Sequence, residues 1–222
     1  MTDLAARRAA AALGPAPEVA KRALDIAGSM VLIIITAPLL LLLSCLVRST
    51  STGPALFRQE RLGRGMTPFT MLKLRTMYVG NNDRIHREYV TGMLSDEQAS
   101  GSANGGHYKL VADPRVTPLG AWLRRTSLDE LPQLINVLRG QMSLVGPRPV
   151  LRWEAQLFAE SYRRRFAVKP GMTGLWQVSG RSRLSMQRAL ELDVEYALRR
   201  SFLLDLTILA RTVPALFRGG AS

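Results

Sequence analysis

The sequence contains few of the residues that build disulfides, zinc sites or hydrolase triads. Its 222 residues include one cysteine, Cys45, so no disulfide can form within the chain, as is typical of a reducing compartment. The two histidines, His86 and His107, have no further imidazole or cysteine at ligand spacing, which argues against a zinc site. Ser143 does not lie in a G-x-S-x-G elbow, and no Ser/His/Asp or Cys/His set stands out. The remaining candidates for chemistry are carboxylates and basic residues.

Acidic residues are also scarce. The chain has 17 acidic and 30 basic residues, which gives a formal net charge of +13, and 26 of the basic residues are arginine. The planar arginine fork suits bidentate contacts to phosphate, although a biased genome composition would give the same excess. On either interpretation the charge predicts an anionic partner, such as a nucleotide, a phospholipid headgroup or nucleic acid.

The longest uncharged stretch covers residues 26–47, and its 22 residues are enough to cross a hydrocarbon core that needs about 20. It is too long for a signal peptide, and no small-residue cleavage site follows it. Pro38 near its middle favours a kink, and basic residues flank both ends, so the positive-inside rule predicts no orientation. Two interpretations follow: a kinked crossing helix, or a re-entrant helix that turns at Pro38 and leaves on the side where it entered.

The segments on either side of this stretch are simpler. The alanine-rich residues 1–20 are expected to form a mobile tail or a short surface helix. Residues 55–77 predict two short strands around a glycine-rich turn, with Phe57, Phe69, Met71, Leu72 and Leu74 as buried candidates. Lys73 and Arg75 would project from one face of the second strand, and solvated charges are the ordinary alternative to a binding role. Residues 91–106 are small and polar and predict a flexible loop.

The most informative motif is RRTSLDELPQLINVLRGQMSLVGPRP at residues 124–149, in which Asp129 and Glu130 lie between arginines and a Pro-Arg-Pro turn. Capping residues precede the two carboxylates, and the apolar spacing after them predicts a helix up to Gly140. The N-terminus of that helix would stabilise either an ionised nucleophile or the phosphate oxygens of a substrate. Ser127 and Glu130 also fit an ordinary S-x-x-E capping box, so a purely structural role is the alternative.

Two later segments give weaker signals. Residues 169–181 combine glycine-rich turns with Arg181, but their spacing matches neither the Walker pattern nor G-x-G-x-x-G. Residues 201–217 present a broad apolar face with arginines at its margins, which suits a helix in a membrane surface as well as a buried core helix. Asp205 lies inside this apolar run, and a buried carboxylate there should face an arginine, a metal or water.

Taken together, these motifs resemble the bacterial sugar transferase family, the monotopic polyprenyl-phosphate phosphoglycosyl transferases. The resemblance spans about residues 21–217 and rests on five ordered blocks: KRALD at 21–25, LKLRTM at 72–77, residues 123–149, KPGMTGLWQVSGR at 169–181 and SFLLDL at 201–206. It implies a predominantly helical α+β fold. A re-entrant membrane helix hairpin at residues 21–48, broken at Pro38, would precede a catalytic domain at residues 49–222 with interfacial amphipathic helices. The implied location is the cytoplasmic face of the bacterial inner membrane.

The resemblance also implies a reaction. The family transfers a sugar 1-phosphate from a UDP-sugar to polyprenyl (undecaprenyl) phosphate and releases UMP, the first membrane step of polysaccharide or glycan assembly. Asp129 would be the nucleophile that forms a covalent phosphosugar intermediate, and Glu130 would help to hold Mg²⁺. Asp205 is a further metal candidate. The implied ligands of the substrate phosphates and nucleotide are Lys73, Arg75, Arg124, Pro147, Arg148, Pro149 and Arg181.

Some features stay open at this stage. The Ser-Pro pair that is common at the membrane break of the family is Ala37-Pro38 here, and Thr36 or Ser44 would have to assist the bend. The ending at residues 203–220 resembles members that transfer glucose or galactose phosphate. The implied partners are a UDP-sugar, polyprenyl phosphate and membrane phospholipid but not nucleic acid, and a homodimer is left open. The competing hypotheses are a membrane-anchored basic binding module and a glycosyltransferase that releases UDP, which no D-x-D motif supports.

Overall fold

The structure is a computed structural model that describes residues 15–80, 87–88, 90–92, 113–180 and 184–218. As predicted, it is a predominantly helical α+β fold with small sheets. The helices are α1 Pro15–Thr50, α2 Pro118–Thr126, α3 Gln133–Leu138, α4 Arg152–Gln156, α5 Leu175–Ser179, α6 Met186–Arg199 and α7 Phe202–Arg218. The strands are β1 Leu56–Leu62, β2 Pro68–Leu74, β3 Ser143–Val145 and β4 Gly171–Thr173, and 3₁₀ turns cover Arg64–Met66, Leu128–Glu130 and Glu160–Ala167.

Helix α1 begins earlier than expected and continues through the predicted break. Residues 15–20, assigned to the tail by the sequence, already belong to it, while residues 1–14 lie outside the described part. Proline suits a first helical turn, and Glu18 there favours the positive end of the helix dipole. Pro38 lies inside the helix and does not end it, because an internal proline removes one backbone hydrogen bond while its neighbours keep theirs. The Thr36 hydroxyl donates to the Leu32 carbonyl at 2.6 Å, a bond that favours bending at this point.

The middle of α1 is apolar and exposed. Among the described residues, α1 is the one helix long and apolar enough to cross a membrane, and only 11% of its most apolar window is buried. Its exposed large side chains are Met30, Val31, Leu32, Ile34, Ile35, Leu41 and Leu42. Such a surface needs a lipid or protein cover.

The first sheet is the predicted hairpin. Strands β1 and β2 pair antiparallel with Gln59 opposite Met71, and Gly65 in the turn has a left-handed φ of 63°. The predicted side chains of β2 are buried, but Phe57 of β1 is 45% exposed. The prediction for Phe57 was wrong, because the core packs mainly against β2 and leaves most of β1 exposed.

The second sheet places the Pro-Arg-Pro turn beside the later glycine-rich block. Strands β3 and β4 pair parallel, with Ser143 opposite Gly171 and Val145 opposite Thr173. A side chain at Gly171 would put its Cβ 2.0 Å from the Gly146 nitrogen, so this close approach requires glycine. Because the turn follows β3 and the glycine-rich block begins at β4, the two segments share one edge of the fold.

Buried contacts join β2, α3 and β3 into one core. Asn136 of α3 is fully buried, and its amide donates to the Thr70 carbonyl at 2.7 Å and accepts from the Leu72 N–H at 3.0 Å. Met71 of β2 and Leu144 of β3 belong to one buried hydrophobic cluster. This core holds the segment that carries the two adjacent carboxylates in a fixed position against β2.

Candidate active site

The adjacent carboxylates lie in a tight turn between two helices. Helix α2 ends at Thr126, Ser127 adopts a left-handed φ of 58°, and the 3₁₀ turn Leu128–Glu130 carries both acids. The predicted capping box is wrong, because Ser127 makes no side-chain cap bond and its backbone instead terminates α2. Helix α3 begins only at Gln133, after Pro132. A non-glycine residue at positive φ is strained, and such strain is common at functional sites.

Asp129 is buried beside the guanidinium of Arg124. Only 4% of Asp129 is exposed. Burial lowers the pKa of Arg124, and the neighbouring Asp129 carboxylate opposes that shift. The Arg124 Nε donates to the Thr76 hydroxyl at 2.9 Å, which fixes the guanidinium next to the end of β2. The arrangement keeps one carboxylate away from water while an arginine favours its ionised form.

Glu130 faces a small adjoining cleft. Its Oε1 lies 3.2 Å from Lys73 Nζ and 3.8 Å from an Arg148 Nη atom. Lys73, Glu130, Arg148 and Pro149, all expected at the site, line this cleft. The structure therefore brings together a strand lysine, an acid of the 3₁₀ turn and the arginine of the Pro-Arg-Pro turn.

The Pro-Arg-Pro turn is held by its backbone carbonyls. Gly171 N–H donates to the Pro147 carbonyl at 2.9 Å, and an Arg61 Nη atom donates to the Pro149 carbonyl at 3.3 Å. Arg61 also lies 3.5 Å from Glu154, whose carboxylate accepts from the Leu151 N–H at 2.7 Å. The two prolines thus shape the turn, and their carbonyls are occupied by protein donors.

Several cleft residues were not predicted from the sequence. Arg61, Met71, Gln133, Gly171, Met172 and Gln177 also line it. The last three belong to the KPGMTGLWQVSGR block, of which only Arg181 had been singled out. The parallel pairing of β3 with β4 brings that block to the cleft, and sequence spacing does not reveal such a pairing. Arg181 itself lies outside the described residues, so its role stays a prediction.

Arg75 has a different position from the one expected. It is buried, and its Nη2 donates to the Val47 carbonyl at 3.1 Å and to the Ser51 carbonyl at 2.8 Å. The prediction of a phosphate ligand is corrected, because the guanidinium fastens the C-terminal end of α1 to β2. Lys73, two residues earlier, has a different partner, because it forms an ion pair with Glu130.

Asp205 is likewise an anchor. Only 1% of it is exposed; Lys21 Nζ lies 2.6 Å from its Oδ2, and the Tyr196 hydroxyl donates to its Oδ1 at 2.7 Å. Burial and the adjacent carboxylate raise the pKa of Tyr196, so the hydroxyl keeps its proton and donates it. Both oxygens have partners from the protein, which corrects the expectation of a metal or an arginine. The bond fastens the N-terminal end of α1 to α7.

The acids fit a magnesium ion in one way. Among the described residues no group of three or more metal-binding side chains is present. Magnesium, however, is commonly held by one or two carboxylates together with substrate phosphates and water, and Glu130 places one such carboxylate at the cleft. The donor set is compatible with an ion that arrives with a diphosphate, and the role of Glu130 as its ligand stays a prediction.

Comparisons with known proteins identify the family. A family model described as bacterial sugar transferase matches residues 16–219. The chain belongs to the bacterial sugar transferase family. The sugar transferase is 38% identical to the exopolysaccharide production protein ExoY of Sinorhizobium fredii, over 92% of this chain and 88% of the relative. It is 41% identical to the UDP-glucose:undecaprenyl-phosphate glucose-1-phosphate transferase of Caulobacter vibrioides, over 91% of this chain and 73% of the relative.

A third relative has the same chemistry in its name. The undecaprenyl-phosphate galactose phosphotransferase of Salmonella typhimurium is 38% identical over 89% of this chain, which corresponds to 40% of that longer relative. Named relatives thus carry either glucose or galactose phosphate. The predicted family and the predicted class of enzyme, a sugar-phosphate transferase, are confirmed.

Proposed function

We propose that this sugar transferase passes a hexose 1-phosphate from a UDP-sugar to polyprenyl phosphate and releases UMP. The observation that carries the proposal is the buried Asp129 beside Arg124, next to a cleft where Glu130, Lys73 and Arg148 meet. A simple binding module has no need for a buried carboxylate among arginines. The names of the relatives from Caulobacter vibrioides and Salmonella typhimurium support the same acceptor and a glucosyl or galactosyl donor.

In the first step, an Asp129 carboxylate oxygen attacks the phosphorus that bears the sugar. A new bond forms between that oxygen and phosphorus, the bond to the bridging oxygen of the diphosphate breaks, and UMP leaves with the electron pair. Arg148 and Lys73 are placed to bind phosphate oxygens in the cleft, and Arg124 favours ionised Asp129. The carboxylate needs no general base, because it carries no proton when it attacks.

In the second step, a phosphate oxygen of polyprenyl phosphate attacks the same phosphorus. The bond between phosphorus and Asp129 breaks, the carboxylate is regenerated, and the product is polyprenyl diphosphate linked to the sugar. Glu130, with Asp129, would hold Mg²⁺, which would neutralise the diphosphate charge when bound. Two displacements divide one difficult transfer between a nucleotide in water and a lipid in the membrane.

The contacts of α1 support a re-entrant membrane helix. Near its N-terminal end, Lys21 binds Asp205, and the Asp25 carboxylate accepts from the Ser143 hydroxyl and the Leu144 N–H, both at 2.9 Å. Near its C-terminal end, Val47 is held by Arg75 and Leu43 packs in a cluster with Leu74 and Leu123. Both ends therefore bind the same catalytic core.

A straight helix from Asp25 to Val47 would be about 33 Å long, close to the thickness of the hydrocarbon core. A crossing would then put the two anchors at opposite membrane faces, and the buried polar core between them would have to lie in lipid. A bend near Pro38 and Thr36 instead lets the exposed apolar middle enter the membrane from the face where the cleft lies. We assign that face to the cytoplasm of the bacterial inner membrane, where sugar nucleotides are available.

Helix α7 supports the same placement. Its Ile208 and Asp205 are buried against the core, whereas Leu203 is 73% exposed and Phe202, Leu206 and Val213 are exposed as well. The two interpretations of this segment are therefore compatible, because one face packs on the protein and another is free to lie in the membrane surface.

The test is to identify the released nucleotide. The purified protein in lipid discs is incubated with Mg²⁺, polyprenyl phosphate and single UDP-sugars, and the nucleotides are separated by chromatography. The expected result is continued UMP release, beyond one equivalent per protein, only when both substrates are present, together with a lipid-linked sugar diphosphate. Release of UDP would identify a simple glycosyl transfer, and no nucleotide from any donor would favour the binding module.

A further inference from the structure

A buried ion pair holds the backbone carbonyl of Arg148. Arg165 Nη2 donates to the Arg148 carbonyl at 2.6 Å and lies 2.5 Å from Asp193 Oδ2. Asp193 Oδ2 also accepts from Arg165 Nε at 3.2 Å, so the carboxylate fixes the guanidinium that binds Arg148. Both side chains of the pair are 2% exposed. The 3₁₀ turn Glu160–Ala167 and helix α6 thus meet at a single residue of the cleft.

The flanking residues add to this hold. Pro147 and Pro149 have no N–H, so the polar backbone groups that they contribute to the turn are their carbonyls. The Pro147 and Pro149 carbonyls are bound by Gly171 N–H and Arg61. Each of the three backbone carbonyls of the turn therefore has a protein donor, while the Arg148 side chain stays 25% exposed at the cleft, 3.8 Å from Glu130.

The pair is expensive to bury, which argues against a role in packing alone. Burial raises the pKa of Asp193 to about 6, although Arg165 opposes the shift. The Arg165 guanidinium also lies over the rings of Phe158 and Phe166, at 5.5 and 5.3 Å from their centroids. Well-packed apolar residues commonly replace a buried ion pair without loss of stability. The hydrogen bond to the Arg148 carbonyl is what an apolar pair could not supply.

We infer that Arg165 and Asp193 are positioning residues for Arg148, and that they hold its guanidinium where it binds the transferring phosphate. The inference rests on the proposed function. It requires no contact of Arg165 or Asp193 with substrate, because both act through the backbone of Arg148. Displacement of a substrate-binding group by about 1 Å can lower a rate about 100-fold.

The test replaces the ion pair with apolar residues. It separates an effect on the position of Arg148 from an effect on the stability of the protein. Arg165→Met together with Asp193→Leu removes both charges and the hydrogen bond to the Arg148 carbonyl. We expect kcat/KM for UMP release to fall about 10- to 100-fold, with a melting temperature close to that of the wild type. The matched control is Arg188→Gln with Glu191→Gln, an exposed ion pair on the same helix, which should leave kcat/KM unchanged.

A double-mutant cycle shows whether the loss passes through Arg148. In an Arg148→Ala background, the Met/Leu replacement should change the residual kcat/KM by less than about 2-fold, because the group that it positions is gone. An equally large loss in that background would overturn the inference, and so would wild-type kcat/KM in the Met/Leu protein itself. A wild-type protein that releases no UMP would instead contradict the proposed function.

A second variant covers a failure of the Met/Leu protein to fold. Arg165→Lys keeps a positive charge beside Asp193, but an ammonium lacks the planar fork that bonds Asp193 and the Arg148 carbonyl together. It should lose activity to a smaller extent than the Met/Leu protein, and again only while Arg148 is present. Unchanged kcat/KM for Arg165→Lys, or a loss that persists in Arg148→Ala, would count against the inference.

Discussion

Four acids of this sugar transferase fall into two groups that differ in where their partners come from. Asp205 forms an ion pair with Lys21, and Asp193 forms one with Arg165. Both basic residues are distant in sequence from their acids, and neither takes part in the proposed reaction. Glu130, beside Asp129, shares Lys73 and Arg148 at a cleft. The difference teaches that burial alone does not mark a catalytic acid. An acid next to a cleft that is lined by cations is a better candidate than one enclosed by its partners.

The sharpest way to test this contrast is Asp129→Asn. The amide has nearly the same shape but is no nucleophile at phosphorus, so we expect UMP release to fall at least about 1,000-fold. The measurement is the initial rate of UMP formation in lipid discs, with the melting temperature as a check on folding. Glu191→Gln, an exposed acid on α6, is the control and should keep wild-type rates. Appreciable turnover by Asp129→Asn would remove Asp129 from the mechanism.

The anchor group should respond in stability. Asp205→Ala leaves Lys21 and the Tyr196 hydroxyl without their acceptor, and breaking such a buried pair costs about 3–5 kcal/mol. Denaturant unfolding of the detergent-solubilised protein measures the loss. Glu18→Gln is matched to it, because Glu18 also binds the last part of the chain, through Arg200, but at an exposed site. That control should lose less than about 1 kcal/mol. Equal losses for the two variants would contradict the assignment of Asp205 as the main anchor.

Glu130 should combine a smaller loss of rate with a changed metal response. We expect Glu130→Gln to lower the rate about 100-fold, because the amide is a weaker ligand for a divalent ion than the carboxylate. The measurement is the rate of UMP release as a function of Mg²⁺ concentration. Half-saturation should move to a higher concentration in the variant. An unchanged Mg²⁺ dependence would assign Glu130 to orienting Lys73 and Arg148 instead.

The smallest predicted effect concerns pH. The pKa of Asp193 is raised from 3.8 to about 6 by burial, so the native protein binds this proton more tightly than the unfolded chain. Acidification through pH 6 therefore favours the native state at this group. Relative to Asp193→Asn, which does not titrate there, the wild type should gain about 1 kcal/mol of unfolding free energy between pH 7 and pH 5. A difference that stays constant or moves the other way would show that Asp193 does not titrate in this range.

Local features of the fold were accessible from the sequence. The β1–β2 hairpin followed from alternation around a glycine turn, and Asp129 and Glu130 stood out because they lie between arginines in a block that resembles a family motif. The apolar stretch of α1 was equally plain. These features depend on residues that are neighbours in the chain, or on motifs that keep their order.

Features that depend on distant contacts were missed or misassigned. Arg75 has the spacing of a strand charge, but the return of α1 to β2 buries it against Val47. The partner of Asp205 lies 184 residues away, and no periodicity connects it with Lys21. Ser127 has the composition of a helix cap but takes a left-handed conformation that ends the preceding helix. In each case tertiary packing overrides a local pattern.

The central claim is that Asp129 carries the sugar phosphate between the two substrates. The most direct test is to incubate the protein with a UDP-sugar labelled at the phosphorus next to the sugar, without polyprenyl phosphate, and to map the label by mass spectrometry after proteolysis. We predict a phosphosugar on the peptide that contains Asp129, formed together with UMP and discharged when polyprenyl phosphate is added. A label on another residue, or UMP released only when the acceptor is present and with no labelled protein, would contradict the account.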